Sequence, residues 1–347
     1  MKYSKELVDA LKQRILVNAD SHPNDLVQYS MENLSLSKNT VLKYIDELLQ
    51  EQKLIRTSVG RYPSYALLNE NQEFSFSLST DKELKNQSIS EEGIASEVYP
   101  FIGNVPFEIS QILDYAFMEI TNNAIEHSEA TNINIKISKS ITKLKICIAD
   151  NGIGIFKKIK NDLHLLNEKQ AIIELSKGKF TSNPEHHSGE GIFFSSKLCD
   201  EFYIISDGLI FSPQEDIPEK IRLENINEGT KVIFIINFNT KKIAKEIFDE
   251  FAGTDFENPT FKTIIQLRYM QMEGMSLTSR SQARRLLTRF EKFTTVVLDF
   301  SDVPFIGQGF ADEIFRVYSK KNQATKIEFI NASDQVQAMI AHVKAVG

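Results

Sequence analysis

Apolar residues recur at helical spacing over the first stretch of the chain. Leu7, Leu11, Ile15 and Leu16 share one face between Glu6 and Asn18. Val41, Leu42, Ile45, Leu48 and Leu49 do the same between Val41 and Gln52, and Ser37 stands where its hydroxyl would cap that helix. A short helix, Asn24 to Glu32, is expected between them after the turn Ser21-His22-Pro23. Leu54-Ile55-Arg56 and Ser64-Tyr65-Ala66-Leu67 then read as two short strands around Gly60-Arg61-Tyr62-Pro63, completing a three-helix unit with a β-wing.

The period changes to two at Phe74, Phe76 and Leu78, which alternate with serines and open a second unit. Here the pattern predicts strand 74–79, a helix near 91–100, a long helix over 107–128 and strands 132–138 and 143–149. A variable segment, 156–188, follows, with helical periodicity from Glu168 to Leu175. A helix from Gly191 to Leu198 and strands 201–206, 209–212, 219–224 and 230–238 complete the unit. Strands interleaved with helices, with consecutive strands pairing as hairpins, argue an α+β sandwich. After a connecting helix, Lys241 to Phe251, come strand 262–268, helix 277–290, strand 294–300, helix 307–321, strand 326–330 and helix 333–345. That alternation predicts a small α/β layer. The fold class expected is α+β multidomain, with domains at 1–69, 73–240 and 256–347, as a length of 347 residues favours.

Composition changes this picture in three places. The net charge of −7 gives no global basic signature, so any nucleic-acid contact needs a local patch. Residues 1–65 hold nine Lys or Arg and eight Asp or Glu, a net of +1, and phosphate contacts dominate nucleic-acid affinity, so a monomer would bind weakly. The segment 66–97 carries seven acids and two lysines, with only Asn69 to Glu73 reading as linker. The two cysteines, Cys147 and Cys199, sit outside any metal-spaced cluster, which suits a reducing cytoplasm. Met1 to Arg14 lacks the apolar core of a signal peptide, and Val232 to Ile236 is far shorter than the ~20 residues that span a bilayer. A soluble, cytoplasmic protein without membrane contact is expected.

Two short stretches carry candidate chemistry. Glu119 precedes Asn123 by four residues, which places a carboxylate and a carboxamide one turn apart on a helix face. Ala116, Phe117, Ile120 and Ala124 flank them, so the pair is drawn into a buried setting where polar groups need partners. Asp150 ends a strand and is followed by Asn151-Gly152-Ile153-Gly154, a glycine turn that admits close backbone approach.

The order Glu119-x-x-x-Asn123-Ala-Ile-Glu-His127, Asp150-x-Gly152-x-Gly154, Gly189-x-Gly191 and Gly229-Thr230 resembles the four boxes of the GHKL ATPases. That superfamily takes in gyrase B, MutL, sensor histidine kinases and the anti-sigma serine kinases. The resemblance spans roughly residues 74–238 and implies a Bergerat-type α/β sandwich with a mixed sheet, binding ATP and Mg2+. Under it Asn123 would coordinate the metal, and Glu119 would position or deprotonate an attacking water or hydroxyl. Asp150 would accept from the adenine amine, and Thr230 would support the base. Gly152 and Gly154 would let the chain pass close to the nucleotide, and Gly189 and Gly191 would open a helix toward phosphate. Residues 156–188 would be the ATP lid, with Lys177 and Lys179 reaching phosphate oxygens. His127 reads rather as a helix-terminal residue bonding nearby backbone, and His186-His187 lacks a further ligand at metal spacing.

Residues 5–68 resemble a winged helix-turn-helix domain, carried by Leu36-Ser37-Lys38-Asn39-Thr40-Val41-x-x-x-Ile45-x-x-Leu48 and the strands after it. That implies DNA contacts from Ser37, Lys38, Asn39, Thr40, Lys43 and, on the wing, Arg61 with Tyr62; a winged helix used for protein contacts is the competing reading. Residues 256–347 resemble the STAS-like domain found beside such ATPases, carried by Val297-Leu298-Asp299-Phe300-Ser301 and Phe305-Ile306-Gly307-Gln308-Gly309. Its relatives place a phosphorylatable serine where Gly307-Gln308-Gly309 stands, so a phospho-switch is not expected there; Ser301 and Thr278 are minor alternatives. Arg285 and Arg289 are spaced as a solvated basic stripe. Together these resemblances imply an ATP-driven regulator, a Mg2+-dependent ATPase switch coupling nucleotide state to DNA binding and transcription control, working as a homodimer with a protein partner at the STAS-like domain. The alternative is an anti-sigma-type protein serine/threonine kinase acting on a separate protein. A non-hydrolysing ATP sensor is a third.

Overall fold

The computed structural model describes residues 4–51, 53–56, 63–67, 72–79, 90–103, 105–140, 142–178, 189–214, 216–224, 226, 228–253, 261–271 and 276–345. Helices α1 (Lys5–Ser21), α2 (Leu26–Leu34) and α3 (Lys38–Gln50) precede strands β1 (Leu54–Arg56) and β2 (Tyr65–Leu67), which pair antiparallel with Leu54 opposite Leu67. Ile15, Leu16, Leu26, Val41, Ile45, Leu48, Leu54 and Tyr65 close a core that belongs to this unit alone. The Ser37 hydroxyl accepts from the Thr40 amide at 3.3 Å, as an N-cap must to satisfy a free donor of the first turn.

The middle unit is a six-stranded sheet in the order β3-β4-β5-β8-β6-β7, made of β3 (Gln72–Ser79), β4 (Asn132–Lys139), β5 (Lys143–Asp150), β6 (Glu201–Ser206), β7 (Leu209–Phe211) and β8 (Thr230–Asn237). Every neighbouring pair is antiparallel, so the expectation of a mixed sheet is corrected. The helical crossover from β5 to β6 does join strands that run the same way, but β8 inserts between them and pairs antiparallel with both. β4 alternates buried with more exposed residues and β5 buried with half-buried ones, as period two requires; on the other face Tyr203, Ile205, Ile221 and Ile233 form a smaller cluster. Ile133, Ile135, Ile137, Leu144, Ile146 and Ile148 bury beneath helices α4 (Glu91–Ile102), α5 (Phe107–Glu126) and α8 (Gly191–Leu198).

Segment 156–188 contributes two helices, α6 (Ile155–Asp162) and α7 (Glu168–Lys177), of which only the second was expected. Residues 219–224, expected as a strand, instead form the short helix α9 (Glu219–Arg222), because Pro218 starts a helical turn with its fixed φ. The chain continues through α10 (Ala244–Ala252) into three parallel strands in the order β11-β10-β9: β9 (Lys262–Gln266), β10 (Thr295–Asp299) and β11 (Lys326–Ile330). Helices α11 (Arg268–Gln271), α12 (Arg280–Leu287), α13 (Gln308–Asp312) and α15 (Asp334–Ala345) surround them; α13 runs on through a π-helical stretch, Glu313–Tyr318, to α14 (Ser319–Lys321). The expected helix 277–290 is shorter because Ser279 and Gln282 form a capping box at its start and Arg289 turns left-handed beyond its end.

The middle and C-terminal units share one continuous core, from Ile94 through Phe193 and Phe251 to Ile340. Polar stitches reinforce the seam: Gln266 Nε2 donates to the Pro213 carbonyl at 2.9 Å, and the Ser212 amide donates to the Tyr269 hydroxyl at 3.2 Å.

Candidate functional site

Helix α5 is held over the sheet by Ile109, Ile112, Leu113, Ala116, Phe117, Ile120 and Ala124, an apolar stripe at spacings of three and four. That packing turns Glu119, Asn122, Asn123 and His127 into a cavity of about 310 Å³. Asp150, Ile153, Gly154, Ile155 and Lys158 line it from the end of β5, the glycine turn and α6; Thr230 and Val232 line it from β8, and Gly189, Gly191, Ile192 and Phe193 from the start of α8.

Asp150 is the last residue of β5 and stands opposite Thr230, the first of β8. Its Oδ1 accepts from the Gly152 amide at 2.9 Å and the Thr230 amide at 3.2 Å. Both donors go to one oxygen, so the other has no partner among the described residues. Burial pushes the Asp150 carboxyl above its ordinary pKa, against the opposing pull of the two amides. The Thr230 Oγ1 accepts from the Ile155 amide at 3.0 Å and keeps its own proton to donate. The pair therefore presents a carboxylate acceptor and a hydroxyl side by side at the cavity floor.

Two glycines make the geometry possible. Gly229 sits at φ +79, and a Cβ there would lie 1.9 Å from the Asp150 carbonyl oxygen. A Cβ on Gly191 would lie 2.0 Å from Glu119 Oε2, so the carboxylate occupies the space that a side chain at the start of α8 would fill. No group of three or more His, Cys, Asp or Glu among the described residues could hold a metal by itself. The cavity offers instead one amide and one carboxylate a turn apart, Asn123 and Glu119. Such a donor set suits a magnesium ion that keeps several waters and arrives on phosphate oxygens. The residues present fit a magnesium-bound adenine nucleotide.

The structure gathers most of the expected residues and redirects others. Glu119, Asn123, Asp150, Gly154, Gly189, Gly191 and Thr230 all line the cavity, whereas Gly152 lies behind Asp150 and serves through its amide. Lys177 does not reach the cavity, which corrects its expected phosphate role. It is fully buried on the opposite face of α7, with Nζ 2.5 Å from Glu174 Oε1 and donating to the Thr288 carbonyl at 3.0 Å. Arg289, expected with Arg285 on a solvated stripe, is largely covered, because α12 ends before it and its side chain turns to Glu174, while Arg285 is exposed. Lys179, His186-His187, Arg61 and Tyr62 lie outside the described residues. His127 caps α5 through its amide, bonded to the Asn123 carbonyl at 3.1 Å, and also lines the cavity.

Sequence reasoning missed Lys158, the only lysine among the described residues that lines the cavity. Its signal was the Phe156 and Ile159 pair, spaced for a helix that buries both and aligns Lys158 with Ile155. At the N-terminal unit, Ser37, Lys38, Asn39 and Lys43 are exposed around the start of α3 and Thr40 is half-buried. Ser37 and Thr40 hydroxyls lie 2.8 Å apart, and Lys43 Nζ is 3.8 Å from Glu47. In the C-terminal unit the Ser301 hydroxyl donates to Asp299 Oδ1 at 2.8 Å.

Residues 109–240 match the family model of the histidine kinase-, DNA gyrase B- and HSP90-like ATPases, and residues 282–337 match a STAS-like domain of unknown function. No curated protein matches the chain. The chain thus carries a GHKL-type ATPase domain joined to a STAS-like domain, which supports an ATP-binding regulatory activity. No helix among the described residues is long and apolar enough to cross a membrane.

Proposed function

We propose that the chain is an ATP-dependent regulator whose middle unit binds magnesium-bound ATP and passes its nucleotide state to the units on either side. The convergence of Asp150, Thr230, Asn123 and Glu119 on one cavity carries this reading. Asp150 accepts from the exocyclic amine, which a guanine does not offer at that position, and Thr230 supports the base. Asn123 would hold the metal, which would supply charge neutralisation for the phosphates. Glu119 orients or deprotonates the attacking water. Lys158, which lines the cavity and lies 4.0 Å from Asp162, is the lysine proposed to meet the anionic end of the ligand.

At the N-terminal unit, three helices followed by an antiparallel pair support a winged helix, and the exposed Lys38, Asn39 and Lys43 at the start of α3 support entry of that helix into a DNA groove. With a net charge of only +1 over residues 1–65, a homodimer that doubles the phosphate contacts is the form proposed to bind. The STAS-like unit is proposed to receive a protein partner.

Titration of labelled ATP with magnesium tests the core of this proposal. Asn123→Ala should weaken binding by at least tenfold, and unchanged affinity would sink the site. Incubation with γ-labelled ATP then separates the reactions: label in free phosphate supports the ATPase, and label transferred to a protein supports the serine/threonine kinase. Mobility shift of host DNA, with and without ATP, reads the output.

A further inference from the structure

The last turn of α7 has two working faces. Leu175 and Gly178 line the nucleotide cavity, while Glu174 and Lys177 meet the C-terminal unit. Residues three apart on a helix lie on the same side, so one turn of backbone separates the cavity from the neighbouring domain.

Arg289 bridges the two. Its Nη1 lies 3.0 Å from Glu174 Oε2, and its Nη2 donates to the Gly178 carbonyl at 3.1 Å. It does so from a left-handed backbone, φ +69, a conformation that persists for a residue with a side chain only when its surroundings hold it. Thr263 of β9 fastens the same turn from the other side, donating its hydroxyl to the Lys177 carbonyl at 2.8 Å. The Lys177 ammonium closes the cluster against the Thr288 carbonyl and the Phe290 ring, 5.7 Å from its centroid. Glu174 and Arg289 are each at most a tenth exposed, so solvent screens their pairing little. Burial lowers the Lys177 pKa, with Arg289 adding to that and Glu174 opposing it.

We propose that Arg289 is a positioning residue for the nucleotide site: through Glu174 and the Gly178 carbonyl it sets the last turn of α7, so that nucleotide occupancy and the seating of the C-terminal unit are coupled. The proposal rests on the adenine-nucleotide reading of the cavity. Movement of Leu175 or Gly178 to accommodate ligand must strain or repack the buried cluster. By linkage, whatever shifts the C-terminal unit on α7 changes nucleotide affinity by the same factor that nucleotide changes the unit's seating. A signal received at the STAS-like unit thereby reaches the ATP site without touching ligand.

The test uses the full chain and a fluorescent ATP analogue with magnesium. Arg289→Ala should weaken binding by about 5- to 150-fold, the ordinary range of coupling between sites. Arg289→Lys keeps the charge opposite Glu174 but not the forked reach to Gly178, and should lose less. Thr263→Val keeps the shape and removes only the donor to Lys177, so it should move affinity in the same direction even where Arg289→Ala fails to fold. Lys326→Ala, which breaks an exposed pair with Glu328 inside the C-terminal unit, should bind as the parent does. Hydrogen exchange adds a readout that a merely structural role would not move: nucleotide should slow amides over 286–293 in the parent and not in Arg289→Ala. Parent-like affinity in folded Arg289→Ala and Thr263→Val overturns the coupling while the site reading stands. An equal loss in Lys326→Ala overturns it as well. A parent chain that binds no adenine nucleotide removes the site reading and the coupling with it.

Discussion

Asp150 concentrates the chemistry of the site in one side chain. Its carboxylate is held at Oδ1 by two backbone amides and offers the other oxygen to the cavity, while burial raises its pKa above the ordinary ~3.9. A group whose folded pKa is raised stabilises the empty fold below the unfolded pKa, and that contribution is lost as pH rises through the folded value. On the proposed reading, ligand binding runs the opposite way, because the adenine amine needs the charged acceptor. Nucleotide affinity should therefore fall on acidification before the ordinary carboxylate range is reached. Asp150→Asn should be weaker throughout, by roughly 1.5–3 kcal/mol for a hydrogen bond to a charged group, and should not show that pH dependence. Binding isotherms across pH check both; a parent affinity flat down to pH ~4 would remove Asp150 from base recognition. Glu119, Asn123 and Asp150 stood out in the sequence through helix spacing and a glycine turn, whereas Thr230 was reached only through the resemblance to the GHKL boxes. Lys158 was not, since the Phe156 and Ile159 spacing that sets it apart from Lys157 and Lys160 gains its meaning only once α6 packs both inward.

At the scale of elements, α7 shows how a correct helix acquires an unforeseen role. Its periodicity was readable, and Asn167 caps it by accepting from the Gln170 amide at 3.1 Å. Which face meets ligand was not readable, because that depends on β9 and the Arg289 turn arriving from about a hundred residues away. The consequence is testable in stability. Glu174→Gln leaves the buried Lys177 and the largely covered Arg289 facing a neutral amide and should cost about 3–5 kcal/mol. Lys177→Met preserves volume and leaves the Glu174–Arg289 pair intact, so it should cost much less. Denaturant melts of the two variants decide; equal losses would mean that the cluster is held by packing rather than charge. The sheet makes a related point. Hairpins such as β4–β5 follow from short turns, but the antiparallel order around β8 depends on where a strand 80 residues downstream inserts.

The whole molecule divides energetically in two rather than three. The N-terminal unit has its own core, while the ATPase and STAS-like units merge in another. Calorimetry should show two transitions, and deleting residues 1–67 should leave the larger one in place. A chain ending at residue 240 should lose cooperative unfolding, since Phe193 and Phe194 would surrender the apolar cover of Phe251, Phe261 and Phe293. A fragment that melts at the parent temperature would contradict this.

Local chemistry settles much of this protein in one dimension. Periods of two and near four set its strands and helices, caps and glycines set their ends, and each of four short boxes is local, although only the fold gathers them round one cavity. Those features involve residues within a few positions of one another, where backbone geometry leaves few choices. The face that Lys177 and Arg289 take, the antiparallel sheet and the fusion of two units into one core depend on contacts between distant segments. They arise from burial, which acts on area and position in space, and a linear pattern constrains these only loosely.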